Sequence, residues 1–131
     1  MASSTANVLI VDDDETMRKL LAAILAREPR LAVATAKTGG EALEQIEVSP
    51  PAVIVLDMML PDMSGLELIE RLRERYGYAP PVIAMTAASP VLTPDAIIQN
   101  DEAVRQVLRK PVDQKQFLEV VRSLSLEEAS A

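Results

Sequence analysis

"AVIVLDMMLPDMSGLELIERLR", residues 52–73, decides how the chain folds. Five apolar residues, Ala52 to Leu56, run without interruption into Asp57. A run this short, rich in Val and Ile and not alternating with polar residues, suits a strand buried on both faces, as in a parallel sheet. A loop shaped by Pro61 and Gly65 follows. A helix then starts at Ser64, with Leu66, Ile69 and Leu72 at helical spacing and Gly77 as its stop.

The same strand–loop–helix unit recurs on both sides. Further strands are expected at "VLIV" (8–11), "LAVATA" (31–36) and "VIAM" (82–85), with a weaker one at "VRQVLR" (104–109). Asp14 suits the N-cap of a helix running from Glu15 to about Arg27, with Met17, Leu20, Leu21, Ile24 and Leu25 on one face. "GEALEQIE" follows Gly39 as a second helix. A last helix follows Asp113, with Phe117, Leu118, Val121 and Leu124 inward. Between strands four and five, Pro90 and Pro94 leave room only for a short or irregular helix. The alternation implies an α/β domain with right-handed crossovers. The core is expected over about 7–124, with tails at 1–6 and 125–131.

Composition narrows the function. The 131 residues suit one domain, 1–131, and three aromatic residues (one Phe, two Tyr) leave an aliphatic core. Thirteen basic and 20 acidic residues give a formal charge of −7, which disfavours direct nucleic-acid binding. Without Cys there is no disulfide or thiolate site, and without His there is no imidazole base or phospho-carrier. No apolar run reaches membrane-spanning length and no signal peptide is visible, so a cytoplasmic location and no membrane partner are expected.

In a parallel α/β sheet, ligands bind beyond the C-terminal ends of the strands, at the switch in strand order. Asp12 and Asp13 follow strand one, Asp57 strand three, Thr86 strand four and Lys110 strand five. Three carboxylates brought together repel unless a cation joins them. Mg²⁺ suits them, because it takes oxygen ligands and keeps waters that a phosphate can replace. Lys110 supplies a point charge for an anion and Thr86 a hydroxyl donor. With a carboxylate nucleophile, this set is suited to placing a phosphoryl group on an aspartate.

"VLIVDDDE", "VIVLDMMLPDMSGLELIERLR", "VIAMTA" and "VLRKPV", in that order, resemble the receiver domains of two-component response regulators. The resemblance implies a flavodoxin-like, doubly wound five-stranded parallel sheet of order 2-1-3-4-5 with helices on both faces. It casts Asp57 as phospho-acceptor. Asp13, Asp57 and the Met59 backbone carbonyl become Mg²⁺ ligands, with Asp12 acting through a metal-bound water. Thr86 and Lys110 become partners of the phosphoryl group, and the peptide before Pro111 is usually cis. The donor would be a histidine kinase or a histidine phosphotransfer protein. An output protein or output domain would read the state, and a phosphorylation-dependent homodimer is open. Such a chain is a signalling receiver rather than an enzyme, assisting its own phosphorylation and dephosphorylation.

Asp14 stands apart as a helix cap, while Met58 and Met59 read as packing residues. Met59 and Ala88, each two residues after a site residue, offer no group to position a water, so slow self-dephosphorylation is expected. Val107 stands where receivers often carry an aromatic switch residue, which shifts the expected readout to a rearrangement of 87–103. Two other readings compete. An aspartyl-phosphate phosphatase needs an acid two residues after the nucleophile, where this chain has Met59. A non-phosphorylated interaction module on the same fold would be favoured by loss of a site residue, and all five are present.

Overall fold

The computed structural model describes residues 5–87 and 101–127. Five strands, β1 (Ala6–Val11), β2 (Leu31–Ala36), β3 (Val53–Asp57), β4 (Val82–Thr86) and β5 (Val104–Arg109), form one sheet of order β2-β1-β3-β4-β5. Every pairing is parallel. The described helices are α1 (Glu15–Leu25), α2 (Gly39–Val48), α3 (Gly65–Tyr76) and α4 (Gln114–Arg122), which a π-helical turn, Ser123–Glu127, continues. The short or irregular helix expected between strands four and five falls within 88–100, outside the described residues.

Alternation of side chains along each strand divides the core into two layers. Leu9, Val11, Ile54, Leu56, Val82 and Ala84 pack with Ile46 of α2 and with Leu68, Ile69 and Leu72 of α3. The residues between them, Val8, Ile10, Val53, Val55, Ile83 and Met85, pack with Leu21, Ile24 and Leu25 of α1 and with Phe117 and Val121 of α4. That double burial is why β1, β3 and β4 read as unbroken apolar runs.

The outer strands depart from this pattern. β2 has a sheet neighbour on one side only and alternates in exposure, with Ala32 and Ala34 open to solvent. It is therefore not buried on both faces, as its apolar run suggested. β5 carries a register shift opposite Val82 and Ile83. The extra residue reverses its alternation. Val104 and Val107 then share the α2–α3 layer although they are three apart, and Leu108 faces the other.

Helix ends follow local chemistry. Asp14 caps α1, its Oδ1 accepting the N–H groups of Thr16 at 2.9 Å and Met17 at 3.4 Å. α1 stops at Leu25 rather than near Arg27. The N–H groups of Arg27 and Glu28 turn to the Ile24 and Leu25 carbonyls, three residues back, and Pro29 follows. α2 begins at Gly39, inside the glycine pair, because Thr38 caps it. Ser64 caps α3, which ends on Gly77 at φ +79°. The core runs past the expected end at 124, since Ser125 and Leu126 are buried and the Ser125 hydroxyl donates to the Val121 carbonyl.

Candidate functional site

Register brings the polar residues together. Val11 pairs with Leu56, so Asp12 and Asp57 emerge side by side beyond β1 and β3, at the point where the strand order reverses. Thr86 pairs with Arg109, and the Lys110 N–H donates to the Thr86 carbonyl at 3.0 Å. The Lys110–Pro111 peptide is cis. Lys110 Nζ lies 3.2 Å from Asp12 Oδ2 and 3.2 Å from Asp57 Oδ2. Carboxylate oxygens of Asp12, Asp13 and Asp57 all fall within 4.8 Å of one another.

The three aspartates are not equivalent. Asp12 is 1% exposed and Asp57 is buried, whereas Asp13 faces solvent. Burial is the largest influence on Asp12 and raises its carboxyl above the ordinary range. The Asp14 N–H opposes this at 2.9 Å, Asp57 adds to it, and Lys110 works against it. Burial alone would lower Lys110. The neighbouring Asp57 and Asp12 outweigh burial and hold its ammonium above the ordinary value. One lysine thus partly compensates two buried carboxylates, and the third acid has no ion-pair partner among the described residues. An all-oxygen donor set with excess negative charge suits a hard divalent cation such as Mg²⁺.

Met59 and Thr86 meet the site in different ways. The Met58 side chain is buried, as a packing residue should be, but Met59 is 77% exposed. What faces the site is its main chain, whose N–H donates to Asp57 Oδ1 at 3.0 Å. Thr86 is buried, and its hydroxyl donates to the Ala87 carbonyl at 3.0 Å.

Two participants escaped the sequence reading. Arg18, one turn into α1, donates from a guanidinium nitrogen to the Asp12 carbonyl at 2.7 Å and so braces the end of β1. Asp62, in the β3–α3 loop, binds the start of α2. Neither has a local sequence signal, because a basic residue in a first helical turn and an Asp after Pro are both commonplace.

The parallel sheet of order β2-β1-β3-β4-β5 is the one the receiver resemblance implies. The sequence model of the response regulator receiver domain matches residues 8–122, and the chain belongs to that family. It is 35% identical over 121 residues to a 14.6 kDa protein in the sodA1 3′ region of Leptolyngbya boryana, covering 92% of this chain and 90% of that protein. It is 46% identical over 69 residues to a protein-glutamate methylesterase/protein-glutamine glutaminase of Geobacillus kaustophilus. That match covers 52% of this chain but only 20% of the larger protein. Among solved structures, it is similar to the receiver domain of Francisella response regulator 1452. The two share 26% identity at a TM-score of 0.78, over 92% of this chain and 96% of that one. No helix among the described residues is long and apolar enough to cross a membrane.

Proposed function

We propose that the chain is a phospho-accepting receiver of a two-component system. Asp57 takes a phosphoryl group from a phosphohistidine donor in a Mg²⁺-dependent step, and a partner protein reads the product. The reading is carried by the Asp57 carboxylate, opposed by Lys110 at 3.2 Å and grouped with Asp12 and Asp13 at the sheet edge. Asp13, Asp57 and the Met59 carbonyl would hold the Mg²⁺, with Asp12 acting through a bound water, and the ion would neutralise the phosphoryl oxygens during transfer.

An Asp57 oxygen forms the new bond to phosphorus as the donor's N–P bond breaks. The electron pair of that bond returns to the imidazole nitrogen. If the other ring nitrogen is already protonated, the ring leaves neutral and needs no acid from this chain. That agrees with Met59 standing where a phosphatase would place one. Lys110, released from its carboxylate partners by the competing phosphoryl oxygens, pairs with the new group. Rotation about χ1 turns the Thr86 hydroxyl from the Ala87 carbonyl toward the same group. The donor is a histidine kinase or histidine phosphotransfer protein, and Leu20, exposed on α1, offers it an apolar contact.

Incubation with acetyl phosphate and MgCl₂, followed by intact mass measurement, tests the reading. One phosphoryl adduct is expected on wild type and none on Asp57→Asn. An adduct that survives in Asp57→Asn, or no adduct in either protein, refutes it.

A further inference from the structure

The loop that carries Met59 is fastened at a point the transfer chemistry does not touch. Asp62 spreads its carboxylate over the first turn of α2. Its Oδ1 accepts the Gly39 N–H and its Oδ2 the Gly40 N–H, each at 2.9 Å. Those N–H groups have no partner within the helix, and the helix dipole favours a carboxylate there. The Gly39 and Gly40 N–H groups are the leading influences on Asp62 and hold its carboxyl below the ordinary range. Packing reinforces the link. A Cβ on Gly39 would stand 2.5–2.7 Å from Met63 side-chain atoms, so the loop and the helix start are in direct contact.

Between its ends the loop closes on itself. The Leu60 N–H donates to the Met63 carbonyl at 3.2 Å and the Gly65 N–H to the Met58 carbonyl at 2.9 Å. This makes Met59 and Ser64 an antiparallel bridge in which neither residue bonds the other. The Met59 N–H and carbonyl therefore both point away from Ser64, and the N–H reaches Asp57. With its side chain in solvent, Met59 has little packing of its own. Its main chain is held by the loop, and the loop is held by Asp62.

We propose that Asp62 is a positioning residue for metal binding: by clamping residues 58–64 to the start of α2, it fixes the Met59 main chain against Asp57. The inference rests on the reading of Asp57 as a Mg²⁺-assisted phospho-acceptor. Mg²⁺ affinity is measured by calorimetry on wild type, Asp62→Ala, Asp62→Asn and Thr38→Ala, with thermal unfolding in parallel. Loss of the clamp in Asp62→Ala is expected to weaken Mg²⁺ about tenfold, as for other supports of metal ligands. Asp62→Asn, which keeps one acceptor oxygen, falls between. Thr38→Ala removes a different cap from the same helix, so it loses stability but keeps wild-type affinity. At saturating Mg²⁺ the acetyl phosphate rate of Asp62→Ala returns to that of wild type.

Mg²⁺ affinity in Asp62→Ala within about twofold of wild type overturns the inference. So does an equal loss in Thr38→Ala, which would mean general loosening of α2. If Asp62→Ala does not fold, unchanged affinity in Asp62→Asn has the same force. A wild-type chain that binds no Mg²⁺ overturns the underlying reading, and this inference with it. Binding by wild type that Asp62 substitutions leave intact overturns this inference alone.

Discussion

Neutralising Asp13 by Asp13→Asn should stabilise the protein without Mg²⁺ and destabilise it, relative to wild type, with Mg²⁺. Its carboxylate lies within 4.8 Å of those of Asp12 and Asp57, while Lys110 reaches only the other two. Two like charges at 4.8 Å repel by about 0.9 kcal/mol in a water-like dielectric, the appropriate limit for an exposed group. Two such neighbours give about 1.7 kcal/mol, which salt screening reduces to about 1 kcal/mol. For a domain of this size that corresponds to about 3 °C in Tm. Wild type at a hundredfold excess of Mg²⁺ over Kd gains about 2.7 kcal/mol. On the proposed ligand set, a variant without the Asp13 carboxylate gains far less, so the order of stabilities reverses. Thermal unfolding followed by circular dichroism, in EDTA and across a MgCl₂ series, reads both limits. If Asp13→Asn melts below wild type in EDTA, or if Mg²⁺ raises both Tm values equally, the charge reasoning is refuted.

Asp14→Ala removes the α1 cap and should cost about 1 kcal/mol in urea unfolding, with the phosphoryl adduct still formed; loss of the adduct would place Asp14 in the site. Glu28 is held to about 2, against an ordinary value of 4.5, chiefly by the Arg30 side chain and then the Arg30 N–H. Its contribution is therefore complete above pH 4.5 and is lost as pH falls toward 2. Glu28→Gln should flatten the fall of the urea midpoint in that window, and an unchanged slope would count against the assignment. Gly40→Ala should stabilise by about 0.5–1 kcal/mol, since a helical position with space for a methyl group prefers Ala. Gly65→Ala should destabilise, because its Cβ would meet the Met58 side chain at 2.8 Å and the Met58 backbone at 3.0 Å. Equal Tm values for the two glycine variants would contradict both placements.

The central strands were legible because burial on both faces leaves a plain chemical trace, an apolar run ending in a polar residue. The same property exposed Asp12, Asp57 and Thr86, which lie just where such runs stop. β2 misled because its exposed positions are alanines, small enough to face water yet apolar in the sequence. The β5 shift was hidden because a single inserted residue leaves "VRQVLR" without clear alternation. Contacts between distant loops left no trace. Asp62 and Gly39 are 23 residues apart, and nothing periodic links them. The Arg73 guanidinium paired with the buried Asp101 carboxylate, which ties α3 to the entry of β5, is of the same kind. Only the Met59 side chain departs from its expected packing role, because residue type signals burial while here the main chain faces Asp57 and the thioether is left in water.

The placement of the aromatic residues has an optical consequence. Val107 leaves the α2–α3 layer without a ring beside β5, and the chain has no Trp. Its two phenol chromophores, Tyr76 and Tyr78, stand at the exit of α3, whose 12 residues place them about 18 Å from the helix start near Asp57. Ultraviolet emission from this protein is therefore nearly blind to events confined to the aspartates. A change in tyrosine emission on phosphorylation would record movement transmitted along α3, and a constant signal would show that helix standing still. A local optical reporter has to be introduced, and position 107, beside β4 and on the α2–α3 layer, is a rational place for an indole.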